Sequence, residues 1–531
     1  MFKKILAFVL CLICALPLTA CGKGGLADIE TNLIIEMMEA GYGTEGMKAL
    51  ADRFEEIYAE EGYQVSVMGN PQLVLNGAYQ QLRLGTNSKT DLYFVGAVEV
   101  PYIIGKGDTF VKNTNDAYAL EDLTEMYGQK VYGENVTYAQ KMFPSLVNFN
   151  TQTNGKIYST NWAYNVTGFM YRRENFTEGG GQWTLPRTTN ELEELIKKIK
   201  EAGKKPFIFC GTTASYFDYA ALTWWRQFAT DEEVENFWNC QVKNDLGQLV
   251  ESPDAFRSYA RLQAYQLVDM CIYDTDNAMH PESMTYNNEQ AQMEIYNDEN
   301  KVIFMPSGDF AENEMNKLDV HSDVGFMRFP VSSDVLKYAE GTYPNIVLKD
   351  RFETIKTEEK LREVISVIDA GGACPADVTA ADFAALTKIR SYSATESTSH
   401  IGYIPSCANA KEVAKKFLLF MASDEANQIY YNVTGSFLPF QAKNLNLGTS
   451  ITPFRQSVVD MMKNVNFVSK YDSKNPLFYM TDLDFNVNEF FMDGTIGTTG
   501  GNKKSGLEWF ELVADDVLEN FSFYQSTVKA G

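Results

Sequence analysis

Histidine is almost missing from this chain. His280, His321 and His400 are the three in 531 residues, too few imidazoles for a histidine-rich metal site. Cysteine is nearly as scarce. Beyond residue 21 there are Cys210, Cys240, Cys271, Cys374 and Cys407, scattered, odd in number and without a CxxC pair. That pattern suggests neither a zinc knuckle nor a dense disulfide framework, and most of these thiols read as small buried hydrophobes. A single disulfide stays open, with partners that the spacing does not choose. Positive charge is short: 46 Lys and Arg stand against 70 Asp and Glu, a formal net charge of −24. Nucleic acid and anionic lipid call for basic patches, so neither is the main partner. No GxSxG elbow, HExxH pair or activated cysteine is found, which leaves the common hydrolase motifs without support. The acidic residues supply many carboxylate pairs, but none in a recognisable glycosidase setting. Internal repeats, heptads and low-complexity segments are absent too, and no cofactor is implied.

Long apolar runs are confined to the start. Lys3 and Lys4 precede Ile5–Leu18, an almost unbroken apolar stretch of 14 residues; a spanning helix needs about 20. A cationic start, an apolar middle and a small-residue end describe a secretory signal over residues 1–20. The ending Leu18-Thr-Ala-Cys21 resembles the lipobox of bacterial lipoproteins, which implies that Cys21 is acylated and becomes the mature N-terminus. Gly22-Lys-Gly-Gly25 then starts a flexible tether over 21–26. The chain is therefore expected to be exported and held at the outer face of the cell membrane by lipid on Cys21, touching the membrane through that anchor alone. Loss of residues 1–20 removes Lys3 and Lys4 and moves the formal charge to −26. The 511 residues that remain exceed one ordinary core and should divide into two or more domains.

What is present is an α/β pattern. Leu33–Met38 reads as a buried strand, and Met47, Leu50, Phe54, Ile57 and Tyr58 recur at helical spacing between Glu45 and Glu60. Tyr63–Met68 alternates as a strand does, so the three form a βαβ unit, which implies a parallel sheet covered by helices. The pattern recurs in a helix end at Gln80–Leu84 and a strand at Thr90–Val95. Thr188-x-x-Glu191 has the form of a capping box opening a helix whose Leu192, Leu195, Ile196 and Ile199 make one stripe, closed by Gly203 before a strand Pro206–Cys210. Asn409-x-x-Glu412 opens another, with Val413, Phe417, Phe420 and Met421 inward. Leu348–Leu386 is a helix-rich elaboration, and Gly494–Gly506 a loop.

Three segments carry a resemblance. The first is Asn154-Gly-Lys-Ile-Tyr158 with Trp162–Phe176, Trp183, Leu185-Pro186 and the capped helix after Thr188. The second is Asn300–Asp309, followed by Val324–Pro330. The third is Ile404–Met421 with Ser423–Gln428 and the ending Gly435–Pro439. In this order and spacing, over roughly residues 30–440, they resemble the extracellular solute-binding proteins of ABC importers, the large sugar-binding family 1 that includes maltose-binding protein. The departures are local: Arg172-Arg173 replaces the usual Tyr-Asn-Lys, Asn161 falls near the common proline, and Asp309-Phe310 stands where a tryptophan is common.

The resemblance implies a two-lobed periplasmic-binding-protein-like (type II) α/β fold, with discontinuous lobes around a central cleft. Lobe one is expected at about 27–165 plus 400–440, and lobe two at about 166–399 plus 441–531. It implies capture of a carbohydrate, an oligosaccharide, by a monomer that closes on a hinge and docks on the membrane subunits of an ABC permease, with no chemistry of its own. A surface-anchored glycan hydrolase or a polymer-binding adhesin is the alternative. A sugar offers flat C–H faces to rings and a rim of hydroxyls to carboxylates. Candidates are residues in loops that follow strands: Glu39, Tyr42, Glu45, Gly96, Glu99, Trp162, Tyr164, Tyr216, Asp218, Trp224 and Asp309. Ordinary roles compete with each. Trp224 and Trp225 are adjacent, so at most one faces a cleft, and core packing is the commoner fate. Glu39 or Asp309 taken singly is more often a cap or a surface group. Trp183, beside three glycines, reads as a packing plug. Asp482–Glu489 alternates oxygen side chains but lacks the glycine and spacing of a calcium loop.

Overall fold

The computed structural model describes residues 31–530 apart from 40, 71–88, 97–118, 153, 213–215, 245, 274–278, 284, 298, 300, 444, 449–450, 470–471, 474, 476 and 479–504. In chain order its strands are β1 (Asn32–Met38), β2 (Gln64–Asn70), β3 (Leu92–Gly96), β4 (Thr160–Asn161), β5 (Thr167–Arg172), β6 (Lys205–Phe207), β7 (Gln241–Lys243), β8 (Leu249–Glu251), β9 (Val302–Gly308), β10 (Val324–Met327), β11 (Lys337–Glu340), β12 (Val347–Asp350), β13 (Tyr392–Thr395), β14 (His400–Tyr403) and β15 (Asn466–Ser469).

Alternation drives the first unit. Leu33, Ile35 and Met37 of β1 point into the core, and helix Glu45–Ile57 lays Met47, Leu50, Ala51 and Phe54 on the same side. β2 then returns parallel to β1, Asn32 opposite Gln64. The sheet grows to β2-β1-β3-β14-β4. Phe417 and Phe420 of helix Lys411–Met421 pack on Phe54 with ring centroids 5.4 and 6.1 Å away, contacts worth about 0.5–1.5 kcal/mol beyond their buried area. A second sheet, β10-β5-β9-β6, has its own core of Phe169, Phe207, Phe304, Trp224 and the Leu192/Ile196 stripe. Each sheet thus organises one lobe.

The expectation of parallel sheets needs correction, because both are mixed. β14 runs antiparallel to β3 and β4, and β5 antiparallel to β9 and β10. The parallel rule applies where a chain returns through a helix of the same lobe. β4 and β5 instead flank residues 162–166, which lead from the first sheet to the second, and β14 follows residues 396–399. Side chains lace together these two stretches and the strand ends beside them. Asn165 Oδ1 accepts from the Thr395 hydroxyl and the Glu396 N–H at 2.9 Å each. Asn161 Nδ2 donates to Ser397 O at 2.7 Å, and the Thr167 hydroxyl to Ala394 O at 2.9 Å.

Two caps also differ from expectation. Thr188 Oγ1 does accept from the Glu191 N–H, but the Glu191 carboxylate turns back to the Arg187 N–H and guanidinium, so the box closes one residue early. Helix Lys411–Met421 has no side-chain cap of its own. The N–H groups of Asn409 and Ala410 bond instead to Asp91 Oδ1, at 2.9 and 3.0 Å, a tertiary contact that local spacing cannot reveal. The strand expected at Pro206–Cys210 ends at Phe207. The segment read as an elaboration holds β12 and helices Glu358–Asp369 and Ala380–Ser391. Among the described residues none of the five cysteines is in a disulfide, and no helix is long and apolar enough to cross a membrane. The expectations for Gln80–Leu84, Asp482–Glu489 and nearly all of Gly494–Gly506 lie outside the described residues.

Candidate functional site

The loops that follow β1 and β9 belong to different lobes and meet face to face. Asn313 Nδ2, in helix Ala311–Lys317, donates to Gly41 O at 2.6 Å. A Cβ on Gly41 would lie 2.6 Å from Glu314 Oε1 and 3.1 Å from Phe310 Cβ, so a residue without a side chain is what permits this approach. Next to it the Tyr42 hydroxyl donates to Asp309 Oδ1 at 3.4 Å, long for such a bond. Asp309 Oδ2 has no hydrogen-bond partner.

Rings surround this contact. Tyr42 stands edge-on to Trp162 at 6.5 Å and to Phe310 at 6.1 Å. Trp162 donates through Nε1 to Val95 O at 3.1 Å and meets the His400 ring at 5.0 Å. From the second lobe, Tyr216 meets Phe310 at 5.8 Å and stacks on Tyr219 at 5.3 Å. Tyr216 has a left-handed backbone, φ 59°. That conformation costs a residue with a Cβ roughly 1–3 kcal/mol and is concentrated at functional sites.

Burial governs the electrostatics. It pushes the Asp309 carboxyl up to about 7, against the pull of nearby backbone N–H groups and the Tyr42 and Ser436 hydroxyls. Burial likewise raises Glu314 to about 7, although Gln292 Nε2 donates to it at 2.5 Å. The hydroxyls of Tyr42, Tyr216, Tyr219 and Tyr430 are all pushed up, chiefly by burial. Such a wall can hydrogen-bond hydroxyls and cover apolar faces. No cluster among the described residues could hold a metal ion.

The structure brings Tyr42, Trp162, Tyr216 and Asp309 together, and Glu45 lies near them, beside Lys317 across Gly43. It does not bring in the rest. Trp224 is buried in the second lobe's core with Nε1 on Pro330 O at 3.0 Å, because an apolar helix face outweighs a neighbouring loop. Tyr164 stacks on Phe143 at 4.2 Å beneath the crossing. Gly96 is small because a Cβ there would overlap the Met38 sulfur. Glu39 is exposed at the end of β1, and Asp218 is buried in the first turn of helix Phe217–Phe228. Glu99 and Cys21 lie outside the described residues. Phe310, Glu314, Tyr219, Tyr430 and His400 were not singled out. Phe310 had a signal, since it follows Asp309 where a tryptophan is common; the others are assembled by tertiary contacts alone.

Two α/β lobes facing each other across such a contact give the two-lobed fold that the resemblance implied. No family model matches the chain. The diacetylchitobiose binding protein NgcE of Streptomyces coelicolor is 21% identical over 296 residues, 53% of this chain and 59% of that protein. The chain thus spans about three-fifths of the length of the curated relative it matches. Among solved structures, RafE in complex with raffinose is similar over 93% of this chain and 99% of its own, at 13% identity and a TM-score of 0.57. A chitin oligosaccharide binding protein is similar over 92% and 98%, at 14% identity and a TM-score of 0.58. Maltose-bound MalE3 of T. maritima is similar over 93% and 99%, at 16% identity and a TM-score of 0.52.

Proposed function

We propose that this chain is the substrate-binding protein of an ABC importer, capturing an extracellular oligosaccharide by hinge closure and passing it to a membrane permease. The observation that carries this reading is the meeting of rings and carboxyls from both lobes at the loops after β1 and β9. A guest held by both walls stabilises the closed arrangement, so binding shifts a hinge equilibrium. The similarity to NgcE, which binds diacetylchitobiose by name, and to RafE, solved with raffinose, supports a saccharide. We place lobe one at about 27–165 plus 400–440 and lobe two at about 166–399 plus 441–531, with residues 162–166 and 396–399 as crossings. Tyr42, Trp162, Tyr216 and Asp309 are the proposed contacts, with Glu45 at the rim. The leader 1–20, lipid on Cys21, the tether and a monomeric state complete the proposal.

A thermal-shift screen of mono- and oligosaccharides tests it, because a ligand that binds the folded state alone raises apparent stability by about 2.7 kcal/mol at a hundredfold excess over Kd. The expected result is a shift with at least one oligosaccharide, recovered intact. Release of shortened product would establish the hydrolase instead. Shifts with polymers but with no soluble oligosaccharide would favour the adhesin.

A further inference from the structure

The charge on the cleft walls is one-sided. Asp309 is buried and Glu314 half-buried after β9, facing the loop after β1. Around them stand Tyr42, Tyr430 of helix Asp424–Thr434, and Ser436. Tyr216 faces Glu314 from the start of helix Phe217–Phe228, with Tyr219 stacked behind it, and Glu396 of the crossing lies near Tyr42, Tyr216 and Tyr219. Helix Asn288–Tyr296 contributes Asn288, Glu289 and Gln292. Lys317 is a cation beside Glu314, and Glu45 lies next to it across Gly43. Arg455, which reaches Gly435 on the first lobe, is engaged by Glu312 at 3.0 Å.

The Tyr42 hydroxyl occupies a donor position on Asp309 Oδ1, poorly, at 3.4 Å, and Oδ2 is unpartnered although the residue is 93% buried. An unpaired buried acceptor is costly, and a ligand donor entering between the lobes would remove that cost. We propose, on the saccharide-binding reading above, that Asp309 and Glu314 make the cleft a charge filter that admits neutral and amine-bearing saccharides and rejects those carrying a carboxylate. A hydroxyl or ammonium satisfies Oδ2. A carboxylate cannot donate, and it meets two acids with little solvent between them. It gains entry only where a proton is taken up, so the discrimination is strongest in base and fades in acid.

The experiment is calorimetric titration of the full mature chain with tetrasaccharides of the glucose, glucosamine, glucuronate, galactose and galacturonate series, at pH 5.5 and pH 8. We expect a neutral or amino tetrasaccharide to bind best, with its uronate counterpart about tenfold weaker or more at pH 8, and a smaller gap at pH 5.5. Asp309→Asn should narrow the gap at pH 8, and the pH comparison in the unaltered chain stands by itself if that variant fails to fold. A uronate that binds as well as its neutral counterpart at pH 8 would overturn the filter while leaving saccharide binding intact. Binding by none of the five would overturn both.

Discussion

Replacing Gly41 with alanine puts one methyl group between the loop after β1 and helix Ala311–Lys317. That Cβ would lie 2.6 Å from Glu314 Oε1, 3.0 Å from Glu314 Cδ and 3.1 Å from Phe310 Cβ. Gly41 lacks the positive φ that would itself disfavour alanine, so the penalty is overpacking, about 1–3 kcal/mol. All of it falls on the arrangement in which the lobes touch, and none on the lobes apart. Saccharide affinity should therefore drop about 5- to 150-fold, with little change in unfolding temperature. Gly325→Ala is the internal control. Its Cβ would overlap Tyr171 Cζ and lie 2.5 Å from Tyr171 Oη, within the second lobe's sheet and away from the contact, so that variant should lose stability and spare affinity. Calorimetric titration paired with thermal unfolding reads both. Unchanged affinity in Gly41→Ala, or the same behaviour in both variants, would refute the reading of this contact as one that closes the cleft.

Three further outcomes follow from the packing. Trp224→Ala removes a buried indole and its bond to Pro330 O, which should cost about 3–5 kcal/mol in denaturant unfolding without altering the affinity of the folded chain. Asp309 and Glu314, held up to about 7, keep protons that the unfolded chain releases near its usual carboxyl range of about 4. Their stability contribution is therefore full below about pH 4 and lost as the pH rises through 7, with a slope of about 1.4 kcal/mol per pH unit for each group in mid-window. Asp309→Asn should flatten the stability profile between pH 5 and 7, and an unchanged slope would contradict this. Ellman's reagent should modify exposed Cys374 first in the native mature chain and spare Cys210, Cys240 and Cys271 until unfolding, since all three are buried.

Much of the fold is legible because its signals are local. Leu33, Ile35 and Met37 alternate, Met47, Leu50 and Phe54 recur at helical spacing, and the two periods alone place β1, its helix and β2. What local periodicity cannot carry is direction. Nothing in His400–Tyr403 announces that β14 enters the first sheet antiparallel to β3, because that follows from where the chain returns after leaving the other lobe. The same limit holds at the site. Tyr42 and Asp309 could be proposed from their places after strands, but the bond between them joins residues 267 apart. Trp224 lies close to Tyr216 and Asp218 in the sequence, but burial of an apolar helix face decides its place. Glu314 offers no sequence signal, since a surface helix carries many glutamates and only the approach of Gly41 half-buries this one.

Small-angle scattering of the mature chain, alone and saturated with a saccharide from the thermal screen, tests most directly whether two halves shut around a guest. A smaller radius of gyration with the saccharide bound, and the saccharide recovered unaltered, is the predicted result. Identical scattering curves at saturation, or a saccharide that comes back cleaved, would contradict it.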